Sequence, residues 1–266
     1  MRYVAPARDA FDRGVLASPP LSLWSAFASL LEGATWPDVQ RLNDLLPRDD
    51  DVRFVAQDRD LLADGLHYEE RIARHGRIAT RPDNWHDLFN ALVWVRYGAL
   101  KRALNARQMA EIERMGPRER SRPQCALTHF DEAGIVVSLR DGAMLDAWNA
   151  HDWHALFWTH RAAWRSGEAR VELFGHALLE HALTPDKLLV GKALVVMGDG
   201  DAMARCAEAI ASGAILNDPQ ELRPLPVSGV PGWHERTADE AFYAEAPCFQ
   251  PLRVGRVYPE PLRYGA

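Results

Sequence analysis

The chain reads as an α+β protein, predominantly helical, with a small sheet and an irregular proline-rich C-terminal segment. Three observations predict this. Apolar residues recur at helical spacing through Trp85, Leu88, Phe89 and Leu92. Leu188–Met197 is an apolar, β-branched run of strand length. Beyond Asn217, prolines interrupt every candidate period. With 266 residues, 47% of them hydrophobic and 26% charged, the chain can bury an ordinary core without metal or disulfide staples. It is expected to form a single domain over 1–266, with 217–266 wrapped over the helical body.

Taken in order, Leu21–Leu31 and Trp36–Leu46 read as short helices, the first after Pro19-Pro20 and the second with Pro37 in its first turn. Asp49–Asp51 is a solvated turn and Val52–Ala56 a strand. His67–Thr80 alternates weakly and contains Gly76, which predicts a hairpin. A long helical region, Asn84–Met115, follows Pro82, with Asn84 as N-cap, Asp87 three residues on, and a kink or division at Gly98. Gly116–Pro123 is an arginine-rich loop, followed by an extended segment ending at Asp131-Glu132-Ala133-Gly134. Ile135–Leu139 is a strand. Ala143–Arg165 reads as a helix whose stripe of Trp153, Phe157, His160 and Trp164 belongs to the core. Arg170–Leu183 reads as a helix, Leu188–Met197 as a strand, Gly198–Asp201 as a turn and Ala202–Ala211 as a helix.

Composition narrows function by exclusion. A net charge of −6 argues against a protein whose task is neutralising nucleic-acid phosphates. No apolar stretch approaches membrane-spanning length, and the start of the chain carries no apolar signal core. Cys125, Cys206 and Cys248 are odd in number and far apart, which fits reduced thiols. A cytoplasmic protein acting on a small molecule is the expectation, with neither nucleic acid nor membrane as partner.

The chemistry-bearing residues concentrate on the long helical region. His86, Asn90, Val93 and Tyr97 form a stripe beside the apolar face, and Lys101, Asn105 and Gln108 extend it. Polar groups flanked by Phe89, Val93 and Trp94 need partners, because an unpaired buried group costs about 1–3 kcal/mol. His86, Asp87 and Lys101 are the expected catalytic residues, with Asn90, Asn105 and Trp233 holding substrate. His176, Glu180 and Asp131 are the expected ligands of a divalent metal ion, since His176 and Glu180 are four apart and would face the same way on a helix. The His86-Asp87 doublet also invites comparison with metal-dependent phosphohydrolases of the HD type, with His67 or His75 as an earlier ligand and Asp131, Asp146 or Asp152 as a later one. Hydrolysis is the economical reaction, since no organic-cofactor fingerprint is present. The alternative is a non-catalytic protein that binds a partner or small ligand, whose polar cluster only fixes helix packing.

Four segments carry a resemblance. They are Asn84–Trp94 (NWHDLFNALVW) with Lys101, Asn105 and Arg107; Leu127–Glu132 (LTHFDE); Phe174–Glu180 (FGHALLE); and Pro224–Trp233 (PLPVSGVPGW). In this order they resemble the bacterial family called domain of unknown function 3025. Gln108 stands where that pattern has a histidine. The resemblance implies a shared fold and no particular activity.

Overall fold

The computed structural model describes residues 3–116 and 120–264. Helices occupy far more of these residues than strands, and the class is α+β with small sheets. Residues 117–119 of the arginine-rich loop lie outside the described residues.

The N-terminal part is built from short helical turns. Leu21–Phe27 is a 3-10 helix that runs into Ala28–Leu31, and Val39–Asn43 starts where Asp38 accepts the Arg41 N–H. Strand β1 (Arg53–Ala56) follows. The expected hairpin over His67–Thr80 does not form. Tyr68–His75 is a helix, and β2 (Arg77–Thr80) pairs with β1 in parallel, Phe54 opposite Ile78. The weak alternation concealed a helical start, at which the Glu70 carboxylate accepts the His67 N–H at 3.2 Å. Gly76 ends this helix at φ 62, and a Cβ there would lie 2.1 Å from the Asp51 carbonyl oxygen. It is therefore a helix stop rather than a hairpin tip.

The long helical region divides as expected. Trp85–Arg96 and Gly98–Met115 meet at Tyr97, whose φ of −128 and ψ of 41 leave the helical range. The extended segment expected before Asp131 is instead a helix, Arg122–Ala133, in which Ser121 and Gln124 form a capping box. It runs straight into β3 (Gly134–Leu139). The single helix expected over Ala143–Arg165 is broken into Gly142–Asn149, a π turn over Ala155–Thr159, and Arg161–Ser166. His151 causes the break by adopting φ 54, and its ring contacts the Gln250 carbonyl at 3.0 Å and the Tyr258 hydroxyl at 2.8 Å. Trp153, Phe157 and Trp164 are core residues, as expected of the stripe, whereas His160 is half-buried with Nδ1 3.7 Å from Asp141.

The expected Arg170–Leu183 helix is likewise replaced by β4 (Ala169–Leu173) and a short helix, His176–His181. Gly175 lies at the junction. Its N–H bonds the Gly134 carbonyl at 2.8 Å, and a Cβ there would stand 2.4 Å from Ala133 Cα. That contact presses the start of the short helix against the end of the Arg122–Ala133 helix.

Strand β5 (Val190–Met197) completes the centre of the main sheet. It pairs in parallel with β3, Ile135 opposite Ala193, while β4 pairs antiparallel with the other edge of β3. Ile135, Val136, Val137 and Leu139 are fully buried, so helices cover both faces of this strand. The helix Ala202–Ala211 follows β5 over the expected residues. The C-terminal segment is irregular as expected, yet it contributes β6 (Arg223–Pro226), antiparallel to β5, and β7 (Leu262–Arg263), parallel to its end. Pro224 and Pro226 are tolerated because β6 forms the edge of the sheet. Buried side chains from Phe11 to Cys248 form one continuous cluster. All three cysteines are free. Among the described residues no helix is long and apolar enough to cross a membrane.

Candidate metal centre

Four helices and the start of a fifth surround a cavity of about 560 Å³. The Tyr68–His75 helix contributes Tyr68 and Glu69, and Trp85–Arg96 contributes His86, Asp87 and Asn90. Lys101, Asn105 and Gln108 come from Gly98–Met115, Gln124, Thr128, Asp131 and Glu132 from Arg122–Ala133, and His176 from the short helix.

Each side chain is placed by its helix. Asn84 caps Trp85–Arg96 by accepting the Asp87 N–H at 3.0 Å, which fixes His86 in the first turn. Asp131 and Glu132 close the last turn of their helix, where the dipole carries partial negative charge and repels carboxylates. They need cationic partners. Asp131 accepts from Lys101 Nζ at 2.6 Å, and the same ammonium donates to Asn90 Oδ1 at 2.9 Å. Asn90 in turn donates to the Tyr68 hydroxyl at 2.8 Å. Lys101 is 3% exposed, so these partners carry most of its solvation.

Within the cavity the Nε2 atoms of His86 and His176 lie 3.0 Å apart. Behind them, His86 Nδ1 faces Glu180 Oε2 at 3.4 Å, and His176 Nδ1 faces Asp131 Oδ2 at 3.9 Å. Glu132 Oε2 approaches His176 Nε2 to 3.7 Å. One ligand atom from each of His86, Glu132 and His176 falls within 4.8 Å of the others. His176 Nδ1 is buried without a hydrogen-bond partner.

The electrostatics are asymmetric. Burial, with help from the Lys101 and His86 charges, pushes His176 down to about 3, so its ring is neutral at ordinary pH. Burial also disfavours charge on His86, but its bond to Glu180 and the charge of Glu132 more than offset this and lift it above the usual histidine range. Burial raises Glu132 and Glu69. Burial would raise Asp131 too, but the charge and hydrogen bond of the Lys101 ammonium hold it below the usual carboxylate range.

The structure brings together most of the residues expected from the sequence, with altered contacts. His86, Asp87, Asn90, Lys101, Asn105, Asp131 and His176 line the one cavity. Asp87 lies outside the converging set. Its carboxylate accepts from Arg81 N at 2.7 Å and Arg81 Nη2 at 2.6 Å, so it latches the entry of its helix. Glu180 does not share an approach with His176. It stands behind His86, with Oε2 3.4 Å from Nδ1. Asp131 is engaged by Lys101, while its neighbour Glu132 supplies the converging oxygen. Asn105 donates to the Glu69 carboxylate at 2.5 Å. Trp233 lies elsewhere, lining a second cavity of about 610 Å³ with Arg165 and Lys187. The HD-type set does not converge. His67 lines the cavity outside the cluster, and Asp152 caps the Ala155 N–H. Sequence reasoning passed over Tyr68, Glu69, Gln124 and Thr128. Their only signal was helical spacing in segments read as hairpin or extended chain.

The arrangement thus defines a class: an α+β fold in which two imidazoles, one backed by Glu180, and the Glu132 carboxylate converge in a polar cavity. A family model described as "Protein of unknown function (DUF3025)" matches residues 52–253, and the chain belongs to that family. No curated protein and no solved structure matches the chain.

Proposed function

We propose that this protein is a metal-dependent hydrolase whose divalent ion is held by His86 Nε2, His176 Nε2 and a carboxylate oxygen of Glu132. The observation that carries this reading is the facing pair of Nε2 atoms, each on an imidazole whose Nδ1 looks at a carboxylate. A carboxylate behind Nδ1 favours the tautomer with its proton there. Both Nε2 lone pairs then point at each other over 3.0 Å, which is repulsive unless a cation sits beside them. Two nitrogens bound to one tetrahedral zinc stand about 3.3 Å apart, given bonds of about 2.0–2.1 Å. Two histidines and a glutamate also match a catalytic zinc donor set, which keeps one position for water or substrate. A divalent ion there would acidify water and polarise a substrate oxygen.

The protein's own residues divide the remaining work. Glu180 orients the His86 ring, Asp131 faces His176 Nδ1 at 3.9 Å, Lys101 holds Asp131 in place, and Asn90 and Asn105 tie Lys101, Tyr68 and Glu69 into the cavity wall. Metal analysis of the purified protein tests the reading. About one zinc-like ion per chain is expected, lost in His86→Ala and in Glu132→Gln with the circular dichroism spectrum unchanged. A chain that neither carries an ion nor takes one up on titration refutes it.

One observation favours a second reading. The 3.0 Å between His86 Nε2 and His176 Nε2 suits a single proton shared between the rings as well as an ion beside them. His86 would then serve as a general acid or base without metal, or the network would simply fix helix packing. The same titration separates the two.

A further inference from the structure

We propose that the Tyr68 hydroxyl is a ligand-binding donor that holds the carbonyl oxygen of a neutral organic molecule inside the cavity. This extends the reading above and stands apart from it, because neither Tyr68 nor its partner Asn90 is among the converging ligands.

Lys101 sets the direction of a short chain of hydrogen bonds. An ammonium has three donors and no acceptor. The Asn90 atom that meets Lys101 Nζ at 2.9 Å must therefore be its oxygen, since a flipped amide would set donor against donor. That leaves Asn90 Nδ2 for the Tyr68 oxygen, 2.8 Å away. An amide nitrogen only donates, so the Tyr68 oxygen accepts. Its own hydrogen must turn elsewhere. Among the described residues nothing accepts it, and the bond from Asn90 is the one this hydroxyl makes. Tyr68 lines the cavity, so an occupant can take that hydrogen. Burial, reinforced by the charges of Glu69 and Asp131, raises the Tyr68 phenol above its ordinary value, so the hydrogen stays on at any working pH.

A second donor stands close by. Trp94 also lines the cavity, and its Nε1 is buried without a hydrogen-bond partner. Its N–H favours charge on the Tyr68 oxygen without meeting it in bonding geometry. A carbonyl oxygen brings two lone pairs and no hydrogen, which suits a pair of donors. Leu104 and Leu127 line the same cavity and offer apolar contact to the rest of the molecule. Asn90 stands one helical turn from His86, so the carbonyl is held beside the helix face that carries the histidine.

Charge decides against an anion. Lys101 is held by Asp131 and Arg81 by Asp87, each at 2.6 Å. Arg120 lines the cavity too, but it is exposed, and Glu69 and Glu132 add two further carboxyls to the lining. Any charge on His86 is answered by Glu180. The cavity therefore holds no excess of cations. An anion at Tyr68 would face the Glu69 and Asp131 charges that already act on that hydroxyl, whereas a neutral carbonyl would not be repelled.

Benzamide and benzoate share a shape and differ in charge. Both are titrated into the full chain, its metal content measured beforehand, and binding is read by ligand-observed NMR. Benzamide should bind the wild type. Tyr68→Phe should weaken it about five-fold, the worth of one hydrogen bond, and leave benzoate unmoved. Asn90→Asp is the sharper variant. It keeps the side-chain shape and the Tyr68 hydroxyl, but its carboxylate accepts from both Lys101 and Tyr68 and so turns the hydroxyl hydrogen away from the cavity. It should weaken benzamide as much as Tyr68→Phe does, and the double variant should lose no more. Melting curves check that each variant is folded, and Asn90→Asp alone carries the test if Tyr68→Phe is not. Benzamide that does not bind, or that binds either folded variant as well as wild type, overturns the proposal. Equal losses of benzamide and benzoate in Tyr68→Phe overturn the neutral ligand class. A chain that takes up no zinc refutes the metal centre alone.

Discussion

At the scale of single residues, the molecule turns on what lies behind each imidazole. Asp131 has one oxygen on Lys101 and the other toward His176. Removing either member of the buried Lys101–Asp131 pair strands a charge, which costs about 3–5 kcal/mol. We therefore expect Asp131→Asn and Lys101→Met each to lower the melting temperature sharply. The double variant should be less destabilised than the sum of the two, as a double-mutant cycle in chemical denaturation would show. Zinc affinity separates the roles: Asp131→Asn and the double variant should lose roughly 10- to 100-fold, the usual effect of removing an outer partner of a metal-bound histidine. Equal affinity in wild type and Asp131→Asn would count against any orienting part for Asp131. Most of these residues were legible in the sequence as types, because His, Asp, Asn and Lys stand out among tryptophans and phenylalanines. Which of two adjacent carboxylates reaches the centre was not legible. Asp131 and Glu132 lie about 100° apart on a helix, and the segment carried no clear helical period.

At the scale of elements, close backbone approaches decide the geometry. The two histidines meet because Gly175 lets the His176–His181 helix touch the Ala133–Gly134 backbone. Gly175→Ala inserts a methyl where 2.4 Å separates the atoms, and overpacking of this kind costs about 1–3 kcal/mol. We expect a lower melting temperature together with weakened zinc uptake, since His176 must shift with its helix. A variant that melts early yet binds zinc normally would show that the junction does not set the site. The same glycine explains a failure of sequence reading. Arg170–Leu183 looks helical by composition, and nothing local announces that residues 169–173 form an edge strand beside β3. The His67–Thr80 segment misled in the opposite sense, since a helix of eight residues leaves only two turns of period to detect. Long, strongly patterned elements such as Trp85–Arg96 and Val190–Met197 emerged close to their true bounds.

At the scale of the whole molecule, acid stability should depend on pairs outside the cavity as well. Arg71 is 2% exposed and bonds Asp64 through Nε at 2.9 Å and Nη2 at 2.7 Å. That guanidinium holds the Asp64 carboxyl at about 2, below its ordinary 3.8. A folded value below the unfolded one means stability that is present above the unfolded value and is lost as pH falls through the folded one. Asp64→Asn should therefore melt earlier than wild type at neutral pH, and the two melting curves should converge as the pH approaches 2. Parallel curves down to that pH would exclude the pair as a source of acid sensitivity. The mixed fold class was visible in the chain at large because its evidence is cumulative. The meeting of distant segments at one cavity was not, because no local pattern encodes which helix faces come together. Pro224 and Pro226 likewise hid an edge strand that only the finished sheet reveals.

His86 and His176 stand ninety positions apart in the polypeptide. No fragment made early in synthesis holds both, so the histidine pair comes into being only after the intervening β3–β4 region has docked. A cation captured there would join the two halves of the chain like a rivet, and its binding free energy would count directly toward keeping the assembled state.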